Sequence, residues 1–181
     1  MTAVEYEPLV YPSVWPPPAL PPPVPESWEA RFKRIPILGW FPVFLLRYLR
    51  WQKHYSEVLE PIAFEIAEQL EARPRVAGWS NRSRWFCTTR HQKIAEIISD
   101  AVALEKFLVD SPPLHPEDPF PLLFWGPFDD LTPLIVGVEI QKEFEASLTS
   151  EGVLRAWEEN WTLREFIDYC DQCISQGTAE T

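Results

Sequence analysis

Apolar positions return at helical spacing over much of the chain. Between residues 43 and 59, Phe44, Leu45, Tyr48, Leu49, Trp51, Tyr55 and Leu59 fall on one broad face at about 100° per residue. Arg47, Arg50, Lys53 and His54 lie opposite, and Leu46 is the misfit. Pro61 suits the first turn of a second helix, whose Ile62, Ile66, Ala67 and Leu70 form a stripe that Pro74 ends. A third helix is predicted over residues 92–109, with Ile94, Ile97, Ile98, Ala101, Leu104 and Leu108 on one side. Glu105 falls near the middle of that stripe and reads as an edge position rather than a partner of the arginines between 73 and 90. Two more helices are predicted over 151–160 and 163–175. Thr162 followed by Glu165 is a capping box opening the last one, whose stripe is Leu163, Phe166, Ile167, Cys170, Cys173 and Ile174.

Elsewhere the helical period fails. Gly78 and Ser80-Asn81 separate Val76-Ala77 from residues 85–88, which predicts a hairpin or two short strands. Residues 122–125 read as a short strand. The β-branched run at 134–140, bounded by Pro133, reads as the clearest strand, with Gly137 marking a bulge or a close neighbour. Together these elements predict an α+β fold of four to five helices packed on a small three- to four-stranded sheet. Its expected limits are a proline-rich extended tail over 1–25, a single α+β domain over 26–176 and a disordered C-terminus over 177–181.

Composition adds the tail's character. Of 20 prolines in 181 residues, nine lie in the first 25, which fixes φ repeatedly and favours extended polyproline II. Pro18-x-x-Pro21 and Pro22-x-x-Pro25 have the spacing that aromatic-lined grooves read, although no Arg or Lys flanks them. The alternative is a tail that lays Trp15 and Tyr11 on its own domain.

The net charge of −11 is unevenly spread. Residues 1–30 carry four acids and no base, residues 31–93 carry 12 bases and five acids, and residues 94–181 carry four bases and 18 acids. That balance disfavours a general nucleic-acid binder. Residues 31–53 hold no acid and combine aromatics with Lys and Arg. Such a segment suits an internal helix packed on the acidic third, a membrane surface, or a protein partner. Glu5 and Glu7 stand where a signal peptide would be basic, the apolar stretch 35–46 is too short to span a bilayer, and three cysteines show no disulfide spacing. A cytoplasmic location is expected.

Motifs for catalysis are weak. Cys170-x-x-Cys173 has redox and metal spacing, but it sits late in its helix, where the dipole opposes a thiolate, and both sulfurs extend the apolar stripe. Cys87 and His91 could complete a Cys3His zinc set with them, against a core role as the simpler reading. Asp129-Asp130, beside Trp125 and Phe128, reads as a turn before a metal or acid/base pair, and His115-Pro116-Glu117-Asp118 as a solvated loop. No GxSxG, GxGxxG or phosphate loop occurs. With no cofactor expected, the sequence points to a non-catalytic interaction protein: an adaptor, assembly factor or regulatory subunit. Its expected contacts with a protein partner are Trp15, Pro18, Pro21, Trp40, Arg47, Arg50 and Lys53. The alternatives are peripheral membrane association through residues 31–53, or a small enzyme or ligand-binding domain with a pocket near 125–130.

Overall fold

The computed structural model describes residues 5–17, 45, 48–49, 51–74, 84–125, 132–146 and 148–177. The chain divides into two compact units, residues 12–64 and residues 1–11 together with 65–181. Helix α1, Glu60–Glu71, follows a π-helical turn over Tyr55–Leu59, in which the Glu60 N–H reaches back to the Tyr55 carbonyl. Pro61 explains the wide turn: it has no N–H to give, and its ring would collide with the carbonyl four residues earlier in a regular helix. After α1 come α2 (Thr89–Glu105), α3 (Phe120–Leu123), α4 (Thr132–Phe144), α5 (Ser150–Glu158) and α6 (Leu163–Gly177).

The α+β expectation fails. Among the described residues there is no strand, and the sole bridge is an isolated antiparallel pair between Pro119 and Thr162. The predicted strand at 134–140 is the body of α4, which buries Pro133, Val136, Gly137 and Ile140, the spacing of one helical face. An unbroken apolar run hides its own period, so β-branching misled where packing of one helical face decided. The predicted strand at 122–125 is mostly the single turn α3, and residues 84–85 are helical rather than extended. The first half of the expected hairpin lies outside the described residues.

α2 packs against α4 and α6, α4 against α5, and α3 against α5. Their shared core holds Ile94, Ile98 and Val102 of α2, Phe120 to Phe124, Val136 and Ile140 of α4, and the stripe of α6 apart from the half-buried Cys173. Phe120 stacks on Phe166 with ring centroids 4.2 Å apart. Gly137 lets α4 approach α5, since a Cβ there would lie 3.2 Å from a Val153 methyl, and a Cβ on Gly152 would overlap the Tyr169 hydroxyl. The capping box forms as read: the Thr162 N–H donates to the Glu165 carboxylate at 2.7 Å, and the Glu165 N–H to the Thr162 hydroxyl at 3.3 Å.

His115-Pro116-Glu117-Asp118, expected as a solvated loop, belongs to a largely buried segment over 112–118. Pro112, Pro113, Leu114, Pro116 and Asp118 are buried. It is held by backbone bonds from Leu163 to the Asp118 carbonyl (2.8 Å) and from Arg164 to that of Pro116 (2.9 Å). Prolines lack a donor, so burying them leaves fewer backbone groups to satisfy.

Candidate functional site

The most polar point of the interior is the Arg73–Asp118 pair. Arg73 lies two residues past the end of α1, and its guanidinium meets both carboxylate oxygens, Nη2 to Oδ1 at 2.6 Å and Nη1 to Oδ2 at 2.8 Å. Both side chains are withdrawn from water. Further bonds complete the pair: Arg73 also donates to the carbonyls of Pro113 and Glu7, while Asp118 accepts the backbone N–H groups of Leu9 and His115. A buried charge is tolerable only when so completely paired. The N-terminal residues 5–11 are thereby anchored on the larger unit. Tyr6 covers the guanidinium with its ring 5.0 Å away and donates its hydroxyl to the Leu114 carbonyl, and the Gln69 amide brackets Val10. His115 and Trp85 stack edge-on at 4.6 Å, and burial lowers the imidazole pKa. All of this is architecture: both carboxylate oxygens and both terminal guanidinium nitrogens are engaged within the protein.

The unexplained chemistry lies at the C-terminal end of α2. Leu108 N–H bonds the Ala103 carbonyl and Phe107 N–H that of Leu104, a Schellman stop with Phe107 at the left-handed position, φ 55°. Glycine is the ordinary choice there, since a Cβ costs about 1 kcal/mol in that conformation. The Phe107 ring gains no compensating contact, being 83% exposed, and it is flanked by Leu104 at 79% and Val109 at 86%. Between them Lys106 points the other way. Its Nζ is buried without a hydrogen-bond partner, and desolvation lowers its pKa from 10.5 to about 8 despite the carboxylate of Glu105 beside it. That carboxylate accepts the Thr132 hydroxyl at 2.7 Å and ties α2 to the start of α4, rather than lying at a free edge.

The site residues expected from the sequence are not gathered at one place. Cys170 is buried in the core and its thiol pKa is pushed up, first by desolvation. That opposes a redox role for the pair it forms with the half-buried Cys173. Cys87 is exposed just before α2. His91 faces Asp171, Nε2 to Oδ2 at 3.6 Å, beside the Arg90–Asp171 ion pair at 2.7 Å. Among the described residues no three His, Cys, Asp or Glu side chains are grouped to hold a metal. Trp15 is half-buried in the smaller unit, and Lys53 is exposed, 3.8 Å from Glu57. Pro18, Pro21, Trp40, Arg47 and Arg50 lie outside the described residues, as do Asp129 and Asp130. No helix among the described residues is long and apolar enough to cross a membrane.

Sequence reading set Leu104 on the packed stripe of α2 and passed over Phe107 and Val109, which the helix was expected to include off that stripe. The one signal for an outward ring is that Phe107 falls off that stripe. Compared with known protein families, curated proteins and solved structures, the chain matches none of them.

Proposed function

We propose that this chain is a non-catalytic protein-interaction protein, an adaptor, assembly factor or regulatory subunit working in the cytoplasm. The observation carrying this reading is Phe107, an aromatic ring held in water on a left-handed residue between two exposed aliphatic side chains. Stability alone would favour glycine at that position, and backbone strain retained beside exposed apolar groups is typical of binding surfaces. A buried aromatic anchor is the commonest source of interface energy. The proline-rich arm, with Trp15, Pro18 and Pro21, and the basic stretch holding Trp40, Arg47, Arg50 and Lys53 are proposed as further contacts. The free thiols of Cys87, Cys170 and Cys173 suit a reducing compartment.

The test compares stoichiometric partners captured from native lysate by the wild-type chain and by Phe107→Gly. Phe107→Gly is expected to be about 1 kcal/mol more stable, through relief of the backbone, yet to lose its partner about tenfold or more. Equal capture by a stabilised Phe107→Gly chain would remove Phe107 as an anchor and with it this reading.

A further inference from the structure

Building on the interaction role proposed above, we infer that the groove between α4 and α5 receives a basic amphipathic helix of a partner protein. The groove encloses about 320 Å³ and is lined by Leu134, Gly137, Val138 and Gln141 of α4 with Leu148, Thr149, Ser150 and Val153 across from them. The α4 residues fall at i, i+3, i+4 and i+7, one continuous stripe along the helix. That is the surface into which a helix lays anchor side chains of matching spacing. The floor is fixed by Gly137 against Val153 and by the Gln141 amide, which donates to the Leu148 carbonyl. The stripe does not end at the groove: Ile135 and Val138 stay 52% and 45% exposed, and Leu154, stacked one turn after Ser150, is also in water.

Charge selects the occupant. Across 132–159 there are six glutamates and two bases, and both bases are already committed, Lys142 to Glu139 at 2.6 Å and Arg155 to Glu159 at 3.3 Å. Glu143, Glu145, Glu151 and Glu158 are exposed and form no ion pair with a cation among the described residues. Glu145 directly follows α4 in a left-handed turn, and Glu158 continues the line from Ser150 through Leu154. Glu143 and Glu145 close α4 while Glu158 closes α5, so these carboxylates sit at helix C-termini, where the dipole is already negative. An apolar trough with uncompensated negative charge at its ends is complementary to a helix with an apolar stripe between Lys and Arg, and repels an acidic one.

The probe is a fluorescent synthetic helix of roughly 20 residues with Leu and Phe at i, i+3, i+4 and i+7 and Lys on both flanks. Its controls are a scrambled peptide of the same composition and a version with Glu for Lys. The full chain is expected to bind the basic amphipathic helix about tenfold or more tighter than either control, and to weaken as salt rises from about 50 to about 300 mM. Val138→Glu is expected to abolish binding. Should that variant fold poorly, the exposed double variant Glu145→Lys/Glu151→Lys keeps the test: it is expected to lose the basic helix at least about tenfold and gain the acidic one. Equal binding of the scrambled peptide would reduce the effect to bulk charge and overturn the inference. So would self-association of the chain that Val138→Glu dissolves, which would make a second copy the occupant. Loss of helix binding with Phe107→Gly still releasing its partner would sink the groove alone and leave the interaction role standing.

Discussion

Lys106→Met is the sharpest stability experiment that the fold offers. Met preserves most of the apolar stem while removing an ammonium group that is buried without a hydrogen bond. The lysine binds its proton with a pKa of about 8 when folded against 10.5 when free. At about 1.36 kcal/mol per pH unit, the folded state at neutral pH carries a penalty of about 3 kcal/mol that Met does not. The sign follows from proton counting. Below about pH 8 both states hold the proton and the whole penalty is present. Between about 8 and 10.5 the unfolded chain binds more protons than the folded one, so stability rises with pH until the penalty is gone. Denaturant unfolding of both proteins at pH 7 and at about pH 10 reads this directly. Lys106→Met is expected to be more stable by about 2–3 kcal/mol at neutral pH, with the difference shrinking below about 1 kcal/mol in alkali. A variant no more stable than the wild type, or a difference that does not move with pH, would refute the reasoning.

Asp118→Asn strips the carboxylate from a buried guanidinium, and thermal or urea unfolding is expected to show a loss of about 3–5 kcal/mol. Limited proteolysis should then cut first within residues 5–11, whose Leu9 N–H depends on that carboxylate. Thr162→Ala and Glu165→Ala remove the two halves of one capping box. Each is expected to cost about 1 kcal/mol, and the double variant less than their sum. A thiol reagent should label Cys87 at once in the native protein and Cys170 only on unfolding, since the latter is buried with its thiol pKa raised. Rapid native labelling of Cys170 would contradict its place in the core.

What the sequence carried legibly were elements whose polar and apolar residues disagree in a regular way. In α6, Leu163, Phe166, Ile167, Cys170 and Ile174 alternate with Glu165, Asp168 and Gln172, so period, face and cap were all readable. In α4 the run from Leu134 to Val138 has no polar residue to reveal its period, and local β propensity filled the gap with a strand. The end of α2 was overrun by four residues because its stop is made by Phe107 rather than by glycine, and the same unmarked left-handed stop occurs at Glu145. Asp118 looked solvated because the partner that buries it is 45 residues away along the chain. The candidate site shared that fate. Exposure of Phe107 and burial of Lys106 are tertiary outcomes, which no local pattern around residues 104–109 encodes.

The clasp on residues 5–11 also sets a timetable. Leu9 is bonded to a side chain 109 residues further on, and Glu7 to one 66 residues on. Translation at about 5–20 residues per second therefore leaves this segment waiting about 5–20 s before its second anchor exists. The helices themselves are local and form in microseconds. Closing so long a loop comes late and makes this chain slower to finish than its helix content suggests. During that interval Leu9, buried once the chain is folded, has neither its cover nor its bond to Asp118.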